Sequence, residues 1–202
     1  ESIVMTSATL SVDKSFRFVC EQLGLDPEAP EHTLKAVQLP SPFDYRSQAL
    51  VLIPRDFPSI RGSVGDAQFV DRLIESLRDV AIETKGRMLV LFTSYRMLRQ
   101  VYPALKEQLS EAGIQVLGQG IDSHNRSKLT MLFQEHRAAV LMGTNSFWEG
   151  VDIPGEALSC LAIVRLPFQP PNHPLFEAKS EIIRRNQQNP FMKRSVPQAV
   201  IR

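Results

Sequence analysis

Only two cysteines occur in 202 residues, Cys20 and Cys160. Neither belongs to a CxxC pair or lies near paired histidines, which argues against a disulfide scaffold and a structural zinc site. A reducing, cytoplasmic setting is the expectation. Long apolar runs are absent too, none exceeding five residues. No stretch can therefore cross a bilayer as a helix, and the opening residues lack the charged-then-apolar layout of a secretory leader. No membrane partner is expected. Charge of one sign is missing overall, with 23 basic against 22 acidic residues. His32, His124, His136 and His173 are scattered, with neither metal spacing nor a paired carboxylate, and read as surface or loop residues. With 43% apolar and 22% charged residues, what remains is an ordinary globular composition that disfavours disorder. The start at Glu1 and the stop at Arg202, inside an apolar-periodic stretch, read as those of a fragment.

Short β-type apolar runs alternate with longer amphipathic stretches, which predicts strand–helix units and a parallel sheet. Strands are expected at Ile3–Thr6, Met88–Phe92, Val116–Leu117, Ala138–Met142 and Leu161–Val164, with Ala49–Ile53 as a further apolar run closed by Pro54. A first helix should end near Leu23–Gly24, before a loop over Asp26–His32. After the loop Arg55–Gly65, a long helix is expected with Phe69, Val70, Leu73, Ile74, Leu77, Val80 and Ala81 on one face, stopped by Gly86. Ser94 is placed to cap the next, which carries Leu98, Val101, Leu105 and Leu109, and Pro103 should kink or break it. Leu129, Leu132 and Phe133 mark another helix. Pro167, Pro170, Pro171 and Pro174 make a rigid loop before a last one around Phe176 and Ile182. The whole chain, 1–202, reads as a single α/β domain.

Residues 179–202 set six cations, Lys179, Arg184, Arg185, Lys193, Arg194 and Arg202, against Glu181 alone. That suits a polyanion partner or a solvated helix face.

Ligands of open parallel sheets bind beyond the carboxyl ends of the strands. The residues there are Ser7-Ala8-Thr9, Thr93-Ser94-Tyr95, Gly118-Gln119-Gly120 and Gly143-Thr144-Asn145-Ser146. Small, hydroxyl-bearing and glycine-rich, they suit hydrogen bonds to phosphates, although each is also a common cap or turn. The richest stretch is Gly143–Gly155, which holds the only tryptophan, two carboxylates and three glycines. Gly150 frees the backbone while Glu149 and Asp152 bring acids into the loop. Trp148 either stacks on a base or, the favoured reading, anchors the loop to the core.

Taken in order, these segments resemble superfamily 2 helicases. Thr6-Ser7-Ala8-Thr9 is similar to motif III, Leu89–Tyr95 to motif IV, and Gly143-Thr144 through Gly150-Val151-Asp152 to motif V in the form of the XPD/DinG branch. Ser41-Pro42-Phe43 and Arg165–Pro171 also resemble the DinG-type bacterial helicases. The resemblance implies an α/β, RecA-like parallel sheet with helices on both faces, the second motor lobe of an ATP-dependent DNA helicase. Thr93, Ser94 and Thr144, with Gln119, would face the nucleic-acid backbone. Glu149, Gly150 and Asp152 would face or couple to the nucleotide, and Ser7 and Thr9 would link the two events. ATP and Mg²⁺ would be the parent's cofactors, and single-stranded DNA and the first RecA-like lobe its partners. Duplex separation with 5′-to-3′ movement, in repair or replication, would be its reaction.

The departures set limits. There is no GxxxxGK[ST] phosphate loop, no acidic box and no motif VI arginine pair. By resemblance these would lie before Glu1 and after Arg202, so the fragment alone should not hydrolyse ATP. No four-cysteine cluster is present, which leaves open an iron–sulfur cluster elsewhere in the parent. A catalytically silent RecA-like module that only binds nucleic acid or a partner is the competing reading. A doubly wound metabolic enzyme lacks the GxGxxG it would need.

Overall fold

The computed structural model describes residues 2–25, 34–58, 67–169 and 173–201. The expected loop Asp26–His32, most of the loop Arg55–Gly65, and His32, Pro170, Pro171 and Arg202 lie outside these residues. The chain divides into two compact units, one of Glu1–Leu52 with Pro167–Arg202 and one of Ile53–Leu166. In chain order the first elements are α1 (Arg17–Leu23), α2 (Tyr45–Gln48), α3 (Ala67–Glu83), β1 (Met88–Leu91), α4 (Tyr95–Ser110) and β2 (Gln115–Gly118). They are followed by α5 (Arg126–Glu135), β3 (Ala139–Gly143), β4 (Cys160–Ile163), α6 (Pro174–Arg185) and α7 (Val196–Val200).

The unit Ile53–Leu166 contains a four-stranded, wholly parallel sheet in the order β2-β3-β1-β4. Side chains alternate between its faces, so β1, β2 and β3 each feed two cores. Met88, Val90, Val116, Val140 and Met142 pack with α3 and α4, whereas Leu89, Leu91, Leu117 and Leu141 pack with Leu129 and Phe133 of α5. Helices thus lie on both faces. The two central strands are buried throughout, whereas the edge strands are not: Gln115 of β2 is exposed, and Leu161 and Ile163 of β4 are 54% and 46% exposed.

Local chemistry accounts for the helix limits. Gly86 ends α3 with φ +75°, its N–H bonded to Ala81 O at 2.7 Å, and a Cβ there would lie 2.5 Å from Ala139 N. Only glycine fits that close approach. Ser94 caps α4 through its Oγ, which accepts from Met97 N–H at 3.3 Å. Of the kink or break expected at Pro103, the break does not occur, and α4 runs through it. Pro103 faces solvent, so water can satisfy the carbonyl it leaves unpaired. Val101, Tyr102 and Leu105 on the buried side hold the helix to the sheet.

The other unit has no strand among its described residues. Ile3–Thr6, expected as a strand, has no ladder partner, and Ile3 and Val4 are each 86% exposed. The run Ala49–Ile53 also forms no strand. A strand needs a neighbour, which β-propensity alone does not supply. Here α1 buries Cys20 and ends at Gly24, and α6 buries Phe176 and Ser180. Glu21 bonds Arg17 at 2.9 Å and Lys193 at 3.0 Å, tying α1 to the π-turn Phe191–Ser195. The basic segment is therefore not one solvated face. Lys193 and Arg185 are ion-paired, Arg194 is buried beside the Phe176 ring, and Lys179 and Arg184 are exposed.

Candidate functional site

Three successive strand ends converge at the carboxyl edge of the sheet. Because β3 lies between β1 and β2, the loop that follows it is central. Gln119 sits just past β2, and its amide spans the gap to that loop. Its Oε1 accepts from Thr144 N–H at 2.8 Å and Thr144 Oγ1 at 3.0 Å, while Nε2 donates to Ser146 Oγ at 2.7 Å. Gln119 and Thr144 are buried, at 6% and 4% exposure. A buried amide with both ends engaged rigidifies its surroundings, since losing it strands polar groups away from water.

The rest of the loop is held as firmly. Phe147 is buried under Gly143, and Trp148 donates its indole N–H to Phe92 O at 3.2 Å, beyond β1. Trp148 is therefore an anchor between loops, packed against the second core. Gly150 adopts φ +65°, a turn that a side chain resists. The guanidinium of Arg126, the first residue of α5, donates to Glu149 O at 3.0 Å and to Gly150 O, and lies 5.9 Å from the Phe147 ring centre.

Beneath β2 a second brace fixes the turn into α5. Tyr102 OH donates to Asp122 at 2.8 Å and accepts from Lys106 Nζ at 2.7 Å, and Asp122 accepts from Gly118 N–H at 2.7 Å. Burial first, and then the Asp122 carboxylate, raises the Tyr102 pKa, so its hydroxyl stays a donor at neutral pH. Its hydrogen bond to Tyr102 raises Lys106.

The residues singled out from sequence thus fall into two groups. Thr93, Ser94, Gln119, Thr144, Glu149, Gly150 and Asp152 belong to the carboxyl edge of the sheet unit. Thr93 and Ser94 are half-buried, whereas Glu149, Gly150 and Asp152 are exposed. Asp152 makes no hydrogen bond or ion pair among the described residues. Ser7 and Thr9 belong to the other unit, exposed, with Ser7 Oγ 3.2 Å from Thr9 Oγ1. Sequence reasoning missed Arg126 and the Tyr102–Asp122 pair, whose partners are 20 or more residues away and leave no periodic signal. Among the described residues no group of three His, Cys, Asp or Glu could hold a metal ion, and no helix is long and apolar enough to cross a membrane.

An all-parallel α/β sheet with its exposed loops at the carboxyl edge defines a RecA-like lobe. Residues 77–202 match the family model of the helicase C-terminal domain, and the chain belongs to that family. It is 43% identical, over 99% of its length, to a protein of Bacillus subtilis named 3'-5' exonuclease DinG, covering 21% of that protein. It is 37% identical over 98% of its length to the ATP-dependent DNA helicase YoaA of Haemophilus influenzae, covering 29% of it. To the ATP-dependent DNA helicase DinG of Photobacterium profundum it is 33% identical over 97% of its length, covering 28% of that protein. The DinG-type resemblance carried by the motifs agrees with these relatives, of which the chain spans less than a third.

Proposed function

We propose that residues 1–202 act as the second motor lobe of a cytoplasmic, DinG-type ATP-dependent DNA helicase, working against a first RecA-like lobe of the same parent. The observation that carries this reading is the braced loop after β3, which offers Glu149 and Asp152 to solvent from a rigid base. In this reading Glu149, Gly150 and Asp152 form one wall of the nucleotide site. Without a phosphate loop or an acidic cluster, the residues present fit that wall but not the cradle for Mg²⁺ and ATP. ATP, when bound, would supply the phosphoanhydride whose hydrolysis opens and closes the two lobes. Thr93, Ser94, Thr144 and Gln119 would serve the single-stranded DNA track, with Ser7 and Thr9 linking strand to nucleotide. Buried as they are, Gln119 and Thr144 would act by fixing Ser146 and the loop backbone.

The test is Asp152→Ala in the full-length parent. Charge-assisted hydrogen bonds are worth roughly 1.5–3 kcal/mol, so ATPase and unwinding should fall about ten- to hundredfold. Affinity for single-stranded DNA should shift by less than about threefold, and melting temperature should hold, because Asp152 braces nothing in the described structure. Near-normal ATPase and unwinding in the folded variant would overturn the assignment. If activity and melting temperature fell together, Asp152 would be a cap or brace of the loop and not a nucleotide contact.

A further inference from the structure

Arg126 breaks a local rule. It opens α5 directly after the Asn125 cap, with Lys128 two residues on and no acid in the first turn. Cations at a helix N-terminus oppose the macrodipole, so α5 alone gains nothing from an arginine there. No carboxylate lies within ion-pairing distance of it among the described residues. Its guanidinium is instead directed at neutral oxygens, the carbonyls of Glu149 and Gly150, over the face of Phe147. Those carbonyls flank Gly150, at φ +65°, on the approach to Asp152. Both bonds come from one nitrogen, Nη2, whose two hydrogens lie in the guanidinium plane, so that plane sets the direction of both carbonyls where a freely rotating ammonium would not.

We propose that Arg126 is a positioning residue, the clamp that fixes the orientation of the Glu149–Asp152 stretch. The clamp itself rests on geometry alone, whereas its consequence for turnover rests on the nucleotide-wall reading above. Locally unfavourable choices of this kind are expected where a site demands them.

The only tryptophan reports on this directly, because Trp148 adjoins the clamped peptides. In the 202-residue chain, Arg126→Ala should shift Trp148 emission to the red and raise its quenching by acrylamide. The melting temperature should stay close to wild type, since Arg126 is only half-buried. Arg126→Lys keeps a cation and one donor nitrogen, but not the planar geometry, and should lie between the two. In the full-length parent, Arg126→Ala should lower kcat for DNA-stimulated ATPase on the order of ten- to hundredfold, as small misplacements of catalytic groups do. KM for DNA should be unchanged, and the lysine variant should restore part of kcat. Unaltered Trp148 quenching in the alanine variant would overturn the clamp, whatever the parent does. A loosened loop with unaltered kcat would overturn its role in turnover. A wild-type parent without DNA-stimulated ATPase would sink the helicase reading and the turnover role with it, while quenching still decides the clamp.

Discussion

Two five-residue runs, Ala49–Ile53 and Met88–Phe92, are nearly interchangeable by composition and reach opposite ends in the structure. In the second, every side chain is at most 4% exposed, and Met88–Leu91 are paired on both sides and covered on both faces. In the first, Leu50, Val51, Leu52 and Ile53 are 74–84% exposed and belong to no strand. Apolar content and β-branching make a segment able to be a strand, but neighbours and covering helices make it one. Burial of a residue in this chain is therefore set by the topology around it, and the energetic weight of a substitution should follow topology too.

The largest effect expected from that contrast comes from matched truncations. Leu141 is fully buried in β3 between β1 and β2, and Leu141→Ala should lower the unfolding free energy of the chain by about 2–5 kcal/mol. Val51→Ala, at 79% exposure, should change it by less than about 0.5 kcal/mol. Denaturant titration of both variants checks this. Equal losses would mean that the run at 49–53 is buried in solution, and the contrast between the runs would collapse.

A smaller effect is expected where the sheet edge is braced by polar groups. Gln119→Ala leaves the buried Thr144 N–H and hydroxyl without their acceptor, at a cost of about 1–3 kcal/mol. Its signature is local: amides of residues 144–146 should exchange faster, while those of β1 keep their protection. Uniform loss of protection would show that Gln119 supports the whole core, and no change would show that water replaces it without penalty.

How far the sequence was legible follows the same division. Periodic apolar runs with a neighbour were placed within a residue of their observed limits, as at β1, β3 and β4. The stops at Gly24 and Gly86 and the cap at Ser94 could be read because they depend on bonds within a few residues. Ile3–Thr6 was misread because strand formation depends on partners that periodicity does not reveal. Pro103 does not break α4 because a solvent-facing proline leaves the buried stripe of the helix intact. At the site, glycines and hydroxyls after the strands marked where to look, but not which side chains hold the loops. Gln119 meets Thr144 across 25 residues and Arg126 meets Glu149 across 23, and only the fold brings such pairs together.

The smallest expected effect belongs to the unit without a sheet, where an ion pair links two segments far apart in sequence. Burial acts to raise the Glu21 carboxyl, but its hydrogen bonds to Lys193 and Arg17 and their charges outweigh that, and its pKa falls below the ordinary carboxylate value. Folding therefore favours the ionised form. The gain is complete above the unfolded pKa of roughly 4.3 and is lost as pH drops through the lower folded value. With 39% of the Glu21 side chain exposed, solvent and salt screen the interaction, and no more than a few tenths of a kcal/mol is expected, roughly the worth of a surface pair. Glu21→Gln should lower stability slightly at neutral pH and by nothing once the wild-type carboxyl is protonated, so the two denaturation curves should converge in acid. High salt should bring them together as well. A gap that persisted at both limits would mean that Glu21 holds α1 to the Phe191–Ser195 turn by packing or neutral hydrogen bonds, and this unit would then share the charge-independent cohesion of the sheet.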